Sequence, residues 1–243
     1  MQVESFKLPA LKPPHADLCE AVFASKIKLK DGDILAIASK VVSIDEGRCI
    51  PVEAIDKKIL INKEADFITK KKPLRFSPFT ITKNVLIRSA GIDESNGNGH
   101  YILWPKNPDK SAERLRRIFM KHYGLKKLGI IITDSISSPL RFGAIGFALG
   151  FAGFEPVYDY RGSQDIFGRK FKFERANLAD GLAAAAVIEM GEGDEKKPVV
   201  LIRGVSEKVW QKTKDSKKLR VFLKDDFYYE LLKSVKWVKA RGK

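Results

Sequence analysis

The chain has 243 residues and a mass of 27.3 kDa, which allows one large domain or two small ones. It contains no apolar run of about 18 residues and no N-terminal signal segment, so we expect neither a membrane span nor export. The net charge of +15 predicts a surface that attracts anions, but charge alone does not choose among nucleic acid, an acidic membrane face, nucleotides and small polyanionic substrates.

The first ninety or so residues alternate short apolar runs with turn residues and polar segments, a pattern that predicts both strands and helices. Strands are expected at residues 3–6 and 34–38, and two more within 79–89 on either side of Lys83-Asn84. Helices are expected at residues 17–25 and over the polar stretch 55–75, with a break at Lys70-Lys71-Lys72. A polar, Gly-bearing loop follows at 91–99, and loops of this kind often carry catalytic or binding residues.

The second half begins with a helix that Ser111 can cap and that runs to about residue 122. A strand at 128–133 then delivers Asp134 and Ser135 into a polar turn ending at Pro139. The small residues of 143–153 predict either a helix or tight backbone contact. A charged loop at 159–169, an alanine-rich helix at 177–190 capped by Gly191, and a strand at 199–203 complete this part.

We divide the chain into a catalytic region, 1–205, and a basic C-terminal segment, 206–243, that we expect to be helical. The first region can hold two subdomains, the second starting near residue 135 and packing back on the first. The segment carries 12 Lys and Arg against 5 Asp and Glu. It could be a solvated helix face, or a nucleic-acid surface on which Phe227, Tyr228, Tyr229 and Trp237 stack with bases. Helical spacing with Leu231 favours a core-facing stripe, so we expect no nucleic acid.

The two cysteines, Cys19 and Cys49, show no CxxC spacing and no nearby histidine, which is typical of reduced thiols in the cytosol. Among the histidines, His100 lies on the Gly-rich loop and could be a ligand or a catalytic group, whereas His15 and His122 pair with no candidate nucleophile. The chain has neither GxxxxGK[ST] nor GxGxxG after a strand, which disfavours a P-loop or Rossmann nucleotide site.

Three acids stand in short polar turns beside Gly, Ser or Asn: Asp93, Asp134 and Glu192. Mg²⁺ and Mn²⁺ prefer oxygen ligands, and a phosphate-bound Mg²⁺ takes only one or two carboxylates from protein. These acids, with the Ser135 hydroxyl as a fourth oxygen, could hold such a metal. The alternative is that each acid caps its own turn, as Asp routinely does.

A set of ordered motifs resembles the coenzyme F420-0:L-glutamate ligase family over roughly residues 3–204. The matching segments are Ser39-Lys40-Val41-Val42-Ser43 with Glu46-Gly47-Arg48, Gly91-Ile92-Asp93-Glu94-Ser95-Asn96, Asp134-Ser135 with Pro139 and Arg141, Asp159-Tyr160-Arg161-Gly162, Asp165, Phe167-Gly168-Arg169, Ala179-Asp180 and Met190-Gly191-Glu192-Gly193.

The resemblance implies an α+β fold with mixed sheets and flanking helices, an intertwined homodimer, and a ligase that adds L-glutamate to a carboxylate of coenzyme F420-0 using GTP (or ATP) and Mg²⁺ or Mn²⁺. It implies Asp93, Asp134, Ser135 and Glu192 as metal ligands, the three acids being the catalytic residues. The implied nucleotide contacts are Leu8, Pro9, Ala10, Leu11, Ser39, Lys40, Asn96, Met190, Gly191, Glu192, Gly193, Asp194, Glu195, Lys196 and Lys197.

Two positions depart from the family pattern. The family often has lysine where this chain has Ile44, and Gly-Arg where it has Ser137-Ser138. Both departures remove a cation from the site. A branch of the family that carries serine at the position of Ser135 is associated with folate, so γ-glutamylation of a folate is the alternative activity.

Overall fold

The computed structural model describes residues 1–70, 77–213 and 218–240, and these form the α+β fold with mixed sheets that the resemblance implies. The strands are β1 Gln2–Phe6, β2 Asp33–Ala38, β3 Cys49–Pro51, β4 Phe67–Thr69, β5 Phe79–Thr82, β6 Val85–Arg88, β7 His100–Ile102, β8 Leu128–Ser137, β9 Ala144–Ala152, β10 Val157–Asp159, β11 Arg175–Asn177, β12 Val199–Arg203 and β13 Trp237–Lys239. The helices are α1 Leu18–Phe23, α2 Ser39–Asp45, α3 Lys57–Glu64, α4 Pro108–Tyr123, α5 Leu178–Met190 and α6 Tyr229–Ser234.

The main sheet has five strands in the order β1-β12-β2-β8-β9, with β2 and β8 parallel and the other pairs antiparallel. Because side chains alternate along a strand, β2 sends Leu35 and Ile37 to one face and Ile34 and Ala36 to the other. Helices α1 and α4 cover the first face and α5 covers the second, so this sheet is buried on both sides. The core therefore holds the ends of β2 and β8 in fixed positions.

Smaller sheets surround this core. Strands β4, β5 and β6 form a four-stranded sheet with β13, β3 pairs with β7, and β10 pairs with β11. The two strands predicted on either side of Lys83-Asn84 are confirmed as β5 and β6. They pair as a hairpin, in which Lys83 and Asn84 both adopt the positive φ values that a tight turn needs. Within the described ranges, no helix is long and apolar enough to cross a membrane.

The prediction of a helix over residues 55–75 is wrong after α3. Helix α3 starts at the Asp56 cap, whose side chain accepts a hydrogen bond from the backbone N–H of Lys58 at 2.6 Å, and it ends at Glu64. The chain then becomes extended at Ala65 and enters β4, where pairing with β5 and β13 overrides local helix propensity. Residues 71–76, which include most of the predicted lysine break, lie outside the described residues.

The predicted cap at Ser111 is also wrong, because α4 begins earlier. The Asn107 side chain accepts a hydrogen bond from the backbone N–H of Lys110 at 3.1 Å, and Pro108 occupies the first turn, where its missing N–H costs nothing. The Ser111 hydroxyl instead donates to the carbonyl oxygen of Asn107 at 3.0 Å and contacts Glu46. This contact attaches α4 to the end of α2.

The small-residue stretch forms strand β9 rather than a helix, and the alternative prediction of close contact is confirmed. A Cβ at Gly146 would lie 2.5 Å from Val187 of α5, and one at Gly150 would lie 2.5 Å from Pro108 of α4. Glycine therefore lets helices pack directly against both faces of β9. The predicted alanine-rich helix is confirmed as α5, with Asn177 at its N-terminal cap and Gly191 at its C-terminus.

The C-terminal segment is not the helix that we expected. Beyond two short 3-10 turns, its described part contains the six-residue helix α6 and strand β13, which pairs with β4. The prediction that the aromatic residues face the core is wrong for Phe227 and Tyr228, which are 93% and 61% exposed. Trp237 is half-buried and donates its indole N–H to the carbonyl of Leu232 at 2.8 Å. That this segment does not bind nucleic acid stays a prediction.

Candidate active site

A cleft of about 520 Å³ lies where the ends of β2 and β8, the loop before β7 and the loop after α5 meet. The structure brings together in this cleft every residue that the family resemblance implied as a metal ligand or nucleotide contact, but not His100. Its walls include Leu8, Pro9, Ala10, Leu11, Ser39, Lys40, Asp93, Asn96, Asp134, Ser135, Met190, Gly191, Glu192, Gly193, Asp194, Glu195, Lys196 and Lys197.

Asp134 and Ser135 lie inside β8 rather than in the turn that we predicted. Strand β8 runs on to Ser137 because β9 pairs with it along its length, with a register shift between Ile132 and Thr133. Such an irregularity re-aims the side chains that follow it. The sequence analysis ended this strand at residue 133, because no local pattern shows that β9 also pairs with the polar residues that follow.

The Asp134 carboxylate sits among protein groups that hold its orientation. The indole N–H of Trp104 donates to Oδ2, and the backbone N–H of Ser135 donates to Oδ1 at 2.8 Å. Burial raises the pKa of Asp134 to about 6, and the negative charge of Asp93 adds to this effect. A negative charge at Asp134 therefore needs further stabilisation in the cleft.

Asp93 has the opposite electrostatic environment. Burial disfavours its charged form, but Lys40, whose Nζ lies 2.7 Å from Oδ2, and the hydrogen bonds from Ser95 outweigh burial and lower the pKa of Asp93. Lys40 Nζ also donates to the Ser95 carbonyl at 2.7 Å. This network joins the start of α2 to the 91–99 loop and holds one lysine charge in the cleft.

Residues 190–197, which we name the 190–197 loop, close the cleft from the side of α5. The Ser135 hydroxyl donates to Oε1 of Glu192 at 2.6 Å. The Asn96 amide donates to the carbonyl of Gly193 at 2.9 Å, and the backbone N–H of Leu8 donates to the carbonyl of Lys196 at 3.0 Å. The loop is therefore attached to three separate elements that line the cleft.

The donor types in this cleft fit a hard divalent cation. Among the described residues, no basic side chain lies within 4.0 Å of the Asp134 or Glu192 carboxylates, whereas Asp93 is paired with Lys40. Carboxylate and hydroxyl oxygens are the ligands that Mg²⁺ and Mn²⁺ prefer. In the part of the chain that the structure describes, however, no three Asp, Glu, His or Cys side chains converge on one position, so the three-acid ligand set stays a prediction.

Sequence reasoning missed Trp104 as a functional residue. Trp104 follows β7, is 2% exposed, and its carbonyl accepts a hydrogen bond from Nε of Arg48 at 3.1 Å. A tryptophan after an apolar run is typical of a core residue, and no local signal shows that its indole N–H reaches Asp134. The partner lies thirty residues away in the sequence.

The remaining predicted positions are also located. Ile44 is buried and lines the cleft, whereas Ser137 and Ser138 are exposed. His100 does not line this cleft; its Nδ1 lies 3.0 Å from the carbonyl of Asn98. The exposed ring of His122 stacks on Phe23 with centroids 3.7 Å apart.

Comparisons with known proteins show which family the chain resembles. Residues 12–204 match the model of a family described as F420-0:Gamma-glutamyl ligase. The chain is 35% identical over 226 residues to the coenzyme F420:L-glutamate ligase of Methanopyrus kandleri, covering 84% of this chain and 87% of the relative. It is 37% identical over 226 residues to the enzyme of that name from Archaeoglobus fulgidus, covering 85% and 89%.

Proposed function

Because this chain belongs to the F420-0:gamma-glutamyl ligase family and is a ligase, we propose that it adds L-glutamate to a carboxylate in a reaction driven by a nucleoside triphosphate and Mg²⁺ or Mn²⁺. The observation that carries the proposal is that Asp93, Asp134, Ser135 and Glu192 line one cleft, together with Lys40. The acceptor is a coenzyme F420-0 or a folate.

The chemistry explains why a triphosphate is needed. A carboxylate does not accept an amine at neutral pH, so a carboxylate oxygen of the acceptor first attacks the γ-phosphorus and the bond to the bridging oxygen breaks, releasing the nucleoside diphosphate. The amine of glutamate then attacks the carbonyl carbon of the acyl phosphate. The bond to the phosphate oxygen breaks, inorganic phosphate leaves, and the amine loses a proton as the amide forms.

The oxygen donors Asp134, Ser135 and Glu192, with Asp93 beside them, are the residues that would hold the metal. A bound divalent metal supplies charge neutralisation at the phosphates and alignment of the acceptor oxygen with phosphorus. Contacts within the chain prepare these donors for a metal, because Trp104 orients the Asp134 carboxylate and the Ser135 hydroxyl links β8 to Glu192.

Binding of the anionic substrates falls to other groups in the cleft. Lys40 carries a positive charge into the cleft from the start of α2, held there by Asp93 and Ser95. The net charge of +15 attracts substrates that all carry negative charge.

We expect inorganic phosphate release only when glutamate, a nucleoside triphosphate, a divalent metal and the right acceptor are all present. The measurement runs coenzyme F420-0 and tetrahydrofolate side by side, each with GTP and with ATP, and follows the products by mass spectrometry. Addition of one glutamate mass to one acceptor identifies the substrate. No added mass on either acceptor, with either nucleotide, would count against the proposal.

We also propose that the protein is a homodimer. The turn between β8 and β9 exposes Leu140 and Phe142 almost completely, and the segment between β10 and β11 exposes Ile166, Phe167 and Phe173. Exposed apolar groups of this extent are typical of protein–protein contact surfaces rather than of free monomers. A second copy of the chain would cover them from water.

Light scattering coupled to size exclusion tests this proposal. We expect the molar mass measured for the wild type to be twice the 27.3 kDa chain mass. The mass measured for the double variant Leu140→Ser/Phe142→Ser should fall toward that of the monomer. Ile59→Ser is the matched control, since it removes a single exposed apolar side chain of α3. A monomeric wild type, or a double variant that stays dimeric, would contradict this role for the β8-β9 turn.

A further inference from the structure

Arg48 belongs to a sequence motif that the proposed reaction does not use. It ends the Glu46-Gly47-Arg48 segment of the family resemblance, and it does not line the cleft. Its half-buried side chain contacts two separate parts of the chain. Nε donates to the backbone carbonyl of Trp104 at 3.1 Å, and Nη2 pairs with Oε2 of Glu64 at 2.6 Å. Arg48 therefore joins the end of α3 to the segment that carries Trp104.

Trp104 lies between secondary-structure elements, so other contacts must hold its backbone. Strand β7 ends two residues earlier, at Ile102, and helix α4 begins at Pro108. Arg48 contacts this segment twice. Its own backbone carbonyl accepts a hydrogen bond from the N–H of Leu103 at 3.0 Å, and its side chain donates to the next residue. Because a charged donor forms a stronger hydrogen bond than a neutral one, Arg48 holds the backbone from which the indole extends.

Glu64 orients the Arg48 guanidinium for this contact. The two side chains are 26% and 21% exposed, so solvent screens their attraction less than it screens a fully exposed pair. An arginine presents its N–H groups in a planar fork, and a fork fixed at one nitrogen by Glu64 directs Nε at the Trp104 carbonyl. Glu64 ends α3, whose buried Leu60 and Ile61 pack into a core cluster of their own. The ion pair is therefore attached to a packed helix.

The indole of Trp104 meets the proposed metal site. Its N–H donates to Oδ2 of Asp134. The ring packs closely against Gly91, where an added Cβ would lie 2.1 Å from Cε2, and it meets Phe147 edge to face at a centroid distance of 6.3 Å. A donor orients a carboxylate only as precisely as the donor itself is held. The contact between Arg48 and the Trp104 carbonyl therefore bears on the position of the Asp134 oxygens.

We propose that Arg48 is a positioning residue, which sets the affinity of the site for a divalent metal through Trp104 and the Asp134 carboxylate. In this role it touches neither metal nor substrate. The contacts form one chain, from Arg48 to the Trp104 carbonyl and from the Trp104 indole to Asp134. The inference rests on the proposed function only for the presence of a metal at Asp134, and it requires no knowledge of the nucleotide or the acceptor.

The test is Arg48→Met, with Arg116→Met as the matched control. Methionine keeps a long apolar stem and removes every donor. Arg116 makes contacts of the same kind, since its Nε donates to the backbone carbonyl of Leu128 at 2.9 Å and Nη1 lies 3.5 Å from Oε1 of Glu113. Its side chain is 23% exposed, close to the 26% of Arg48. Leu128 is the first residue of β8, about 20 Å before Asp134 at the rise of a strand.

Thermal unfolding measures what each arginine contributes to the fold. We expect the Tm of both variants to fall by a similar amount, about 2–6 °C, because each loses a charged hydrogen bond and an ion pair. The two proteins then differ in their distance from Asp134 rather than in their stability. A change in metal binding that appears in only one of them is therefore not caused by lower stability.

Mn²⁺ binding measures the positioning role. Each protein is titrated with Mn²⁺ alone, at a temperature at which all variants are folded, and the free ion is followed by electron paramagnetic resonance. Loss of a residue that contacts a metal ligand typically weakens metal binding by about 10- to 100-fold, and Arg48 acts one contact further away. We therefore expect the Kd for Mn²⁺ to rise by about 3- to 10-fold in Arg48→Met and to stay unchanged in Arg116→Met. Equal Kd values in wild type and Arg48→Met, or an equal rise in both variants, would overturn the inference.

A double-mutant cycle shows whether Arg48 acts through the indole. Trp104→Phe keeps an aromatic ring and removes the N–H, so the Kd for Mn²⁺ should rise by about 10-fold. Adding Arg48→Met to Trp104→Phe should then raise the Kd by less than about 2-fold further, because the donor through which Arg48 acts is gone. A further rise as large as that in Arg48→Met alone would contradict the proposal. If Trp104→Phe does not fold, the comparison of Arg48→Met with Arg116→Met decides alone.

Metal binding keeps this test separate from the proposed activity. A Kd that rises in Arg48→Met but not in Arg116→Met supports the inference even if no glutamate ligation is found. Metal-dependent ligation, together with the same Kd in wild type and Arg48→Met, overturns the inference and leaves the proposed function standing. A wild type that binds no Mn²⁺ would overturn the inference as well.

Discussion

Asp134→Asn is expected to reduce glutamate ligation by at least about 100-fold while the protein stays folded. The substitution keeps the size of the side chain and an oxygen that can accept the hydrogen bond from Trp104. It removes the negative charge that the proposed metal site requires. Stability is expected to change little, because the amide loses one of the two hydrogen bonds that the carboxylate accepts from Trp104 and Ser135, and this loss offsets the relief of a charge that burial disfavours. Initial rates and thermal unfolding measure the two effects.

The matched control for this variant is Asp56→Asn. Asp56 caps α3 outside the cleft, and asparagine is an equally good capping residue, so neither rate nor Tm should change appreciably. A metal-dependent Asp134→Asn enzyme with wild-type turnover would remove Asp134 from the proposed site. An Asp134→Asn protein that fails to fold would show instead that the carboxylate has a structural role.

Gly91→Ala is expected to be the most destabilising small substitution near the cleft. Gly91 has φ +73°, a left-handed conformation, and an added Cβ would lie 2.1 Å from Cε2 of Trp104. Trp104 is 2% exposed, so the indole cannot move away without disturbing the core. Backbone strain and overpacking together should lower the free energy of unfolding by about 3–4 kcal/mol, and the Tm by about 6–15 °C.

Gly32→Ala separates these two causes. Gly32 has φ +87°, but an added Cβ would meet nothing within 4 Å. In Gly32→Ala the free energy of unfolding should therefore fall only through backbone strain, by about 1–2 kcal/mol. Equal losses in the two variants would show that the approach of Trp104 to Gly91 is unimportant. Because Trp104 also donates to Asp134, Gly91→Ala should lower the ligation rate as well, whereas Gly32→Ala should not.

Elements whose signals are local were predicted well. Three elements follow from neighbouring residues: the buried strand β2 between turn and polar residues, the alanine-rich helix α5 ending at Gly191, and the two strands β5 and β6 on either side of Lys83-Asn84. Two of the wrong predictions concern residues whose structure depends on pairing with a strand distant in the sequence. Strand β8 extends through Asp134 because β9 pairs with it, and residues 67–69 become a strand because β5 and β13 flank them.

The sequence by itself determined the chemistry of the site. The ordered motifs named the acids, the Ser39-Lys40 pair and the loop after α5, because residue type and order are properties of the chain alone. The tertiary structure decided how these groups face one another. Lys40 pairs with Asp93 rather than with Asp134, and the Trp104 indole N–H donates to the Asp134 carboxylate. Burial and long-range hydrogen bonds exist only once separate segments are packed together, so no local pattern encodes them.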